Sequence, residues 1–197
     1  MNKLHSRMCS QFLFLRQHLS HYTIDERKQY CHDLGSVWID LINQPNIFLD
    51  ERDYNLYSTI EVNGNTWLGE NLRYDTPGSW LNPDNPDITY GRLYDWNIAM
   101  KSAPQGWHLP SDEEMDDDVF KDVCYAGYYD SGSFNFLGDN AFFWSSTVFS
   151  GTYAWIRSLF FGFTGVYRNN YYKSYGGSCR YIKKKLTDKH EKETLSK

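Results

Sequence analysis

Tyr57-Ser-Thr-Ile-Glu-Val-Asn-Gly-Asn-Thr-Trp-Leu-Gly-Glu-Asn-Leu72 is the stretch that decides how this chain folds. Residues 57–62 read as a short strand with a return partner at 65–68. Asn63-Gly64 between them supplies the two positive φ values of a type I′ turn, so the stretch predicts a β-hairpin. From about residue 50 to 182 the same texture continues. Short alternating runs sit between Gly, Asn, Asp and Pro clusters, and residues 80–89 (WLNPDNPDIT) read as a loop dense in Pro and Asn.

With 197 residues, a single core is the default. Aromatic residues make up 18% of the chain (16 Tyr, 12 Phe and 7 Trp) and charged residues 23%, which excludes intrinsic disorder. Mean hydropathy is −0.65, and no run approaches the length of a membrane-spanning helix. Of the net charge of −5, the residues from Lys183 onward contribute six lysines (Lys183, Lys184, Lys185, Lys189, Lys192, Lys197) against Asp188, Glu191 and Glu193, leaving −8 on the rest. So acidic a body excludes a general nucleic-acid binder, which needs a basic face for phosphate.

Residues 1–48 carry helical periodicity instead. Leu4, Met8, Phe12, Leu15 and Leu19 recur on one helical face. A second helix begins at Thr23, where Thr23-x-x-Glu26 forms a capping box; Tyr30, Leu34, Val37 and Leu41 make its stripe and Pro45 ends it. These helices either pack on the main domain or one another, or serve as a homo-oligomerisation segment. The apolar stretch at 12–15 is cut by Arg16 and no small-residue cleavage site follows, so no export signal is read. A third expected helix starts at the capping box Ser111-Asp-Glu-Glu114. There Asp112, Glu113, Glu114, Asp116, Asp117 and Asp118 are expected on a solvated face. Residues 183–197 read as a charged, frayed tail.

Four stretches together resemble the Fibrobacter succinogenes major paralogous domain family. Residues 57–72 are similar to its Y-x-T-V-x-I-G-x-Q-x-W-M-A-E-N-L opening. Gly91-Arg-Leu-Tyr-Asp-Trp96 with Ala99-Met100 resembles its G-x-L-Y-x-W-x-x-A-M segment. Gly106-Trp-His-Leu-Pro-Ser-Asp-Glu-Glu114 resembles P-x-G-W-H-L-P-S-D-x-E-W, and Phe143-Trp-Ser-Ser-Thr147 resembles F-W-S-S-T. The resemblance covers about residues 53–183 and implies an α+β C-type lectin-like domain at 49–182, close to the formylglycine-generating enzyme branch. Such a domain has small, mostly antiparallel sheets, one or two helices and long ordered loops.

In that frame Trp67, Trp96, Trp107 and Trp144 would anchor the sheets. Glu70 and Asn71 would satisfy loop backbone, and His108 would be structural, bonded to main chain. Relatives commonly carry C-P-x-G-W and end in S-V-R-C-V, and the resemblance implies a disulfide between those two cysteines. Here Ala103 and Tyr181 stand at those positions, which implies a reducing compartment, cytoplasmic or phage- or virion-associated. Cys9, Cys31, Cys124 and Cys179 are then expected to be free, buried and inert.

No catalytic constellation emerges. None of the cysteines falls in the paired copper motif of formylglycine-generating enzymes. Asn82-Pro-Asp84 and Asn85-Pro-Asp87 have the look of Pro-flanked calcium ligands, yet no Trp-Asn-Asp element follows, and neither metal nor cofactor is expected. Residues 149–177 (FSGTYAWIRSLFFGFTGVYRNNYYKSYGG) concentrate the Tyr, Ser, Gly, Asn and Arg that binding loops favour. They also resemble the variable region of retroelement-diversified binding proteins.

The expectation is a non-enzymatic recognition module for a protein or glycan, protein somewhat favoured. Ala154, Ile156, Leu159 and Val166 would anchor its strands. Tyr153, Arg157, Tyr167, Arg168, Asn169, Asn170, Tyr171, Tyr172 and Tyr175 would share one outward surface, with Trp80 at its rim. Replacing Tyr171 and Tyr172 together would then remove binding without loss of stability. The alternative is a structural or attachment protein whose tyrosines are core.

Overall fold

A computed structural model describes residues 22–34, 44–84 and 88–183. The first expected helix, Cys9, Val37, Leu41, Asn85, Asp87 and the tail beyond 183 lie outside the described residues. In chain order the elements are α1 (Ile24–Leu34), β1 (Ile47–Asp50), β2 (Asn55–Val62), β3 (Asn65–Leu68), β4 (Ser79–Trp80), β5 (Leu93–Tyr94) and α2 (Trp96–Lys101). There follow β6 (Trp107–His108), a 3₁₀ turn (Asp117–Phe120), β7 (Tyr128–Asp130), β8 (Ser133–Asn135), β9 (Asn140–Val148), β10 (Tyr153–Phe160), β11 (Tyr167–Tyr172) and β12 (Ile182–Lys183). Small antiparallel sheets with few helices make this an α+β architecture.

The diagnostic hairpin forms as its sequence requires. Asn63 (φ 49°) and Gly64 (φ 72°) both adopt left-handed backbone, and Val62 faces Asn65 across the turn. β1, β12 and β6 extend this pair to a five-stranded sheet, β1-β2-β3-β12-β6. A second sheet, β11-β10-β9, carries the late aromatic sequence, and β4-β5 and β7-β8 are two-stranded ribbons. At the N-terminal end, the Thr23 hydroxyl accepts from Glu26 N at 3.3 Å while Thr23 N donates to Glu26 Oε2 at 2.7 Å, completing the capping box of α1. Arg27 on that helix donates to Asp53 O and Asn55 Oδ1, tying α1 to the start of β2.

β9 is buried on both faces. Phe142 and Trp144 point into one cluster with Tyr57, Leu68, Tyr94, Ile156 and Tyr181. Ala141 and Phe143, on the alternate face, join Trp67, Met115, Val119, Phe120, Leu159 and Ile182. Glu70 and Asn71 do hold loop backbone: Glu70 Oε1 accepts Ser58 N at 2.8 Å, and Asn71 Nδ2 donates to the carbonyls of Tyr90 and Cys124. Tyr181 is fully buried, its hydroxyl donating to Ala99 O at 2.7 Å, and Ala103 packs against the same cluster. Burial pushes the Cys179 thiol up, whereas Cys124 is only half-buried.

Residues 176–183 bind the sheets together. Gly176 bridges Tyr129 on β7, and Gly177 bridges Tyr94 on β5. Ser178 N donates to Phe142 O (2.8 Å) and its carbonyl accepts Trp144 N (3.1 Å) on β9. The carbonyls of Cys179 and Tyr181 accept Leu72 N and Leu68 N, and Ile182 lies between Trp67 on β3 and His108 on β6. A Cβ on Gly177 would stand 2.8 Å from Trp144 Nε1, the atom that donates to Tyr94 O.

Two expectations need correction. Ser111 and Glu114 make both capping-box bonds, but no α-helix follows; the chain makes one turn and then the short 3₁₀ segment. Asp112 N donates to Thr147 Oγ1 and its carboxylate meets two arginines, and these long-range bonds hold the segment as a turn. The acidic face is therefore not uniformly solvated. His108 is bonded through Nε2 to the Glu114 carboxylate at 3.0 Å rather than to main chain. Burial alone would raise the Glu114 pKa, yet the Ser111 N–H and His108 outweigh it and hold the carboxyl below its usual range.

The close approach at Gly177 yields a measurable expectation. Gly177→Ala forces Trp144 aside and should cost about 1–3 kcal/mol in a denaturant titration, whereas Gly64→Asn, at a turn with open space around it, should stay within about 1 kcal/mol.

Candidate functional site

The register of β10 with β11 decides what the late segment displays. Tyr153 faces Tyr172, Trp155 faces Asn170, and Arg157 faces Arg168, all on one side. Ala154 faces Tyr171, Ile156 faces Asn169, and Ser158 faces Tyr167, on the other. The expected single surface therefore divides in two, because successive strand residues point to opposite faces. Tyr153, Arg157, Arg168, Asn170 and Tyr172 share the first face; Tyr167, Asn169 and Tyr171 take the second. Tyr175, beyond the strand, stacks on Tyr128 and lies 5.4 Å from the Tyr172 ring.

On the second face, Tyr171 packs against Phe142 and Tyr128, and burial raises its hydroxyl pKa. Asn169 donates to Ser158 Oγ at 3.1 Å, a strand-to-strand bond within the fold. Trp80, expected at the rim, is half-buried and stacks on Tyr129 at 4.2 Å, over Gly176.

The first face grades from buried to exposed. Arg157 is 7% exposed, not displayed, and its Nη1 is 2.5 Å from Asp112 Oδ1. Arg168 reaches the second oxygen of the same carboxylate, Nε to Oδ2 at 2.8 Å. Burial by itself would raise the Asp112 pKa, but the hydrogen bonds from Arg168 and Arg157 outweigh it and hold the carboxyl below its usual range. The Arg168 guanidinium lies over the Trp155 ring, 3.3 Å from its centroid, with its side chain half exposed. Trp155 in turn meets the edge of Phe149 at 4.8 Å. Tyr153 and Tyr172 pair across the strands at 4.3 Å, and Lys173 lies over Trp96 while donating to Gly151 O.

Phe149, Tyr153, Trp155, Arg168, Asn170 and Tyr172 thus form a continuous strip. Trp155 and Phe149 were not among the expected site residues. The signal for Trp155 was present, since it lies two residues from both Tyr153 and Arg157 and so had to share their face.

Among the described residues no group of three or more His, Cys, Asp or Glu is placed to hold a metal ion. Asp84 N donates to Asn82 Oδ1, which makes that Asn the closer of a local turn. No described helix is long and apolar enough to cross a membrane.

In comparisons with known proteins, the chain matches no family model, no curated protein and no solved structure.

The two faces separate in stability. Tyr171→Ala removes a ring packed on Phe142 and Tyr128 and should cost about 2–3 kcal/mol, while Tyr172→Ala should cost less than about 1 kcal/mol, both read by thermal melting.

Proposed function

We propose that this chain is a non-enzymatic recognition module, a C-type lectin-like domain of the Fibrobacter succinogenes major paralogous type. In this reading the first face of β10 and β11 binds an acidic protein segment, as in retroelement-diversified binders. One observation carries the proposal: Arg168 lies over the Trp155 ring and is paired with Asp112, while no described residue takes its Nη1 donors. A guanidinium fixed on an aromatic plane is pre-organised to meet carboxylate, so little side-chain entropy is lost on binding.

Charge favours the same ligand class. Arg168 and Lys173 stand on or beside the strip, where Arg168 shares Asp112 with buried Arg157, in a chain of net charge −5. Phe149 and Tyr172, each about half exposed, add apolar area next to the fixed cation, the pairing typical of interface anchors.

A peptide array of graded Asp and Glu content, probed with the full chain beside a glycan array, tests the reading. Retention should rise with acidity, fall with salt, and drop about tenfold in Arg168→Gln and Tyr172→Ala variants that melt near wild type. Equal retention by those variants, or no acidic peptide retained at all, contradicts it. Neutral sugars captured through Trp155 instead would make the ligand a glycan.

A further inference from the structure

A second site lies at the other end of the same hairpin, in the turn between β10 and β11. Asp139, Asn140, Phe160, Phe161, Phe163 and Tyr167 line an open groove of about 510 Å³. Phe161 and Phe163 are 70% and 67% exposed, far beyond what lone surface phenylalanines need, and they sit beside each other across Gly162 (φ 82°).

Most of these rings are held by neighbours rather than free. Phe160 meets the edge of Phe142 and lies 5.6 Å from Tyr167. The Tyr167 ring rests on the backbone of Gly165, where a Cβ would stand 3.2 Å from it. Phe161 meets Tyr125 edge-on, and its N–H donates to the Asp139 main-chain carbonyl at 2.7 Å, bringing residue 139 into the lining of the groove. The Asp139 carboxylate is exposed and has no cationic partner among the described residues.

Several aromatic rings beside one carboxylate form an environment for a weakly hydrated cation. Ring quadrupoles attract positive charge through their faces, and the carboxylate fixes its sign. An ordinary ammonium must give up strongly held water to lie against the exposed Phe161 and Phe163 rings, whereas a methylated ammonium is weakly hydrated and loses little there. We propose that this groove binds a methylated ammonium group, as a free choline-like cation or as a trimethylated lysine side chain.

The site is independent of the acidic-peptide face and is tested separately. Full-length protein is titrated with choline, with its neutral isostere 3,3-dimethylbutan-1-ol, and with a short peptide bearing trimethyllysine, following aromatic NMR shifts. Choline should saturate and the isostere should bind roughly tenfold more weakly, the loss expected when the charge is removed from an aromatic site. Asp139→Asn and Phe163→Ala should each weaken choline roughly three- to tenfold with the fold intact by circular dichroism, and Tyr172→Ala should leave it unchanged. Tighter binding of the peptide assigns the source to a side chain, and tighter binding of choline to a free cation. Equal binding of the isostere, or no saturation by either cation, overturns the proposal.

Discussion

The structure depends on one extended segment, residues 176–183, whose main chain is bonded in turn to β7, β5, β9, β3 and β6. Small sheets of two or three strands do not hold together alone, and a two-stranded ribbon is marginal in water. Here every sheet shares part of its backbone hydrogen bonding with the same eight residues. Glycine at 176 and 177 follows from that closeness rather than from any special φ, because the neighbouring Tyr129 and Trp144 side chains occupy the space a Cβ would take.

Side chains of the segment extend its reach into loops that have no strands of their own. Arg180, buried, donates from Nη1 to Val119 O at 2.8 Å and from Nη2 to Asp122 O at 3.3 Å. Burial lowers its pKa to about 10, still well above neutrality, so it stays charged and the carbonyls it meets compensate its desolvation. Asn71 stands beside its Nε and holds Tyr90 O and Cys124 O, so one polar network closes three irregular stretches. A frame cross-linked in this way can hold β10 and β11 still while their outward side chains remain exposed. Binding on a fixed frame loses less entropy than binding by a mobile loop.

How much of this was legible in the sequence follows from the range of each interaction. Local chemistry read well: the Asn63-Gly64 turn and the Thr23 capping box depend on a few neighbouring residues, whereas the backbone-holding roles of Glu70 and Asn71, made across 12 and 19 residues, came from the family resemblance. The acidic run after Ser111 misled because its local capping signal is genuine, yet Arg157 and Arg168, more than forty residues away, claim Asp112. The expected surface was drawn across both faces of the β10–β11 hairpin, and strict two-residue alternation would have separated Tyr171 from Tyr172 and admitted Trp155. The groove at Phe161 and Phe163 left no such pattern, since it joins the β10–β11 turn to the loop before β9 and exists only once the sheet has formed.

Amide hydrogen exchange measures the central constraint directly. If residues 176–183 hold the sheets as one unit, the amides of Leu68, Leu72, Tyr94, Trp144 and Ser178 should exchange only through global unfolding. They should then share one protection free energy and one denaturant dependence. Protection of the β9–β10–β11 amides that survives after those of β3 and β5 have exchanged would show that the sheets open separately, contradicting the role assigned to the segment.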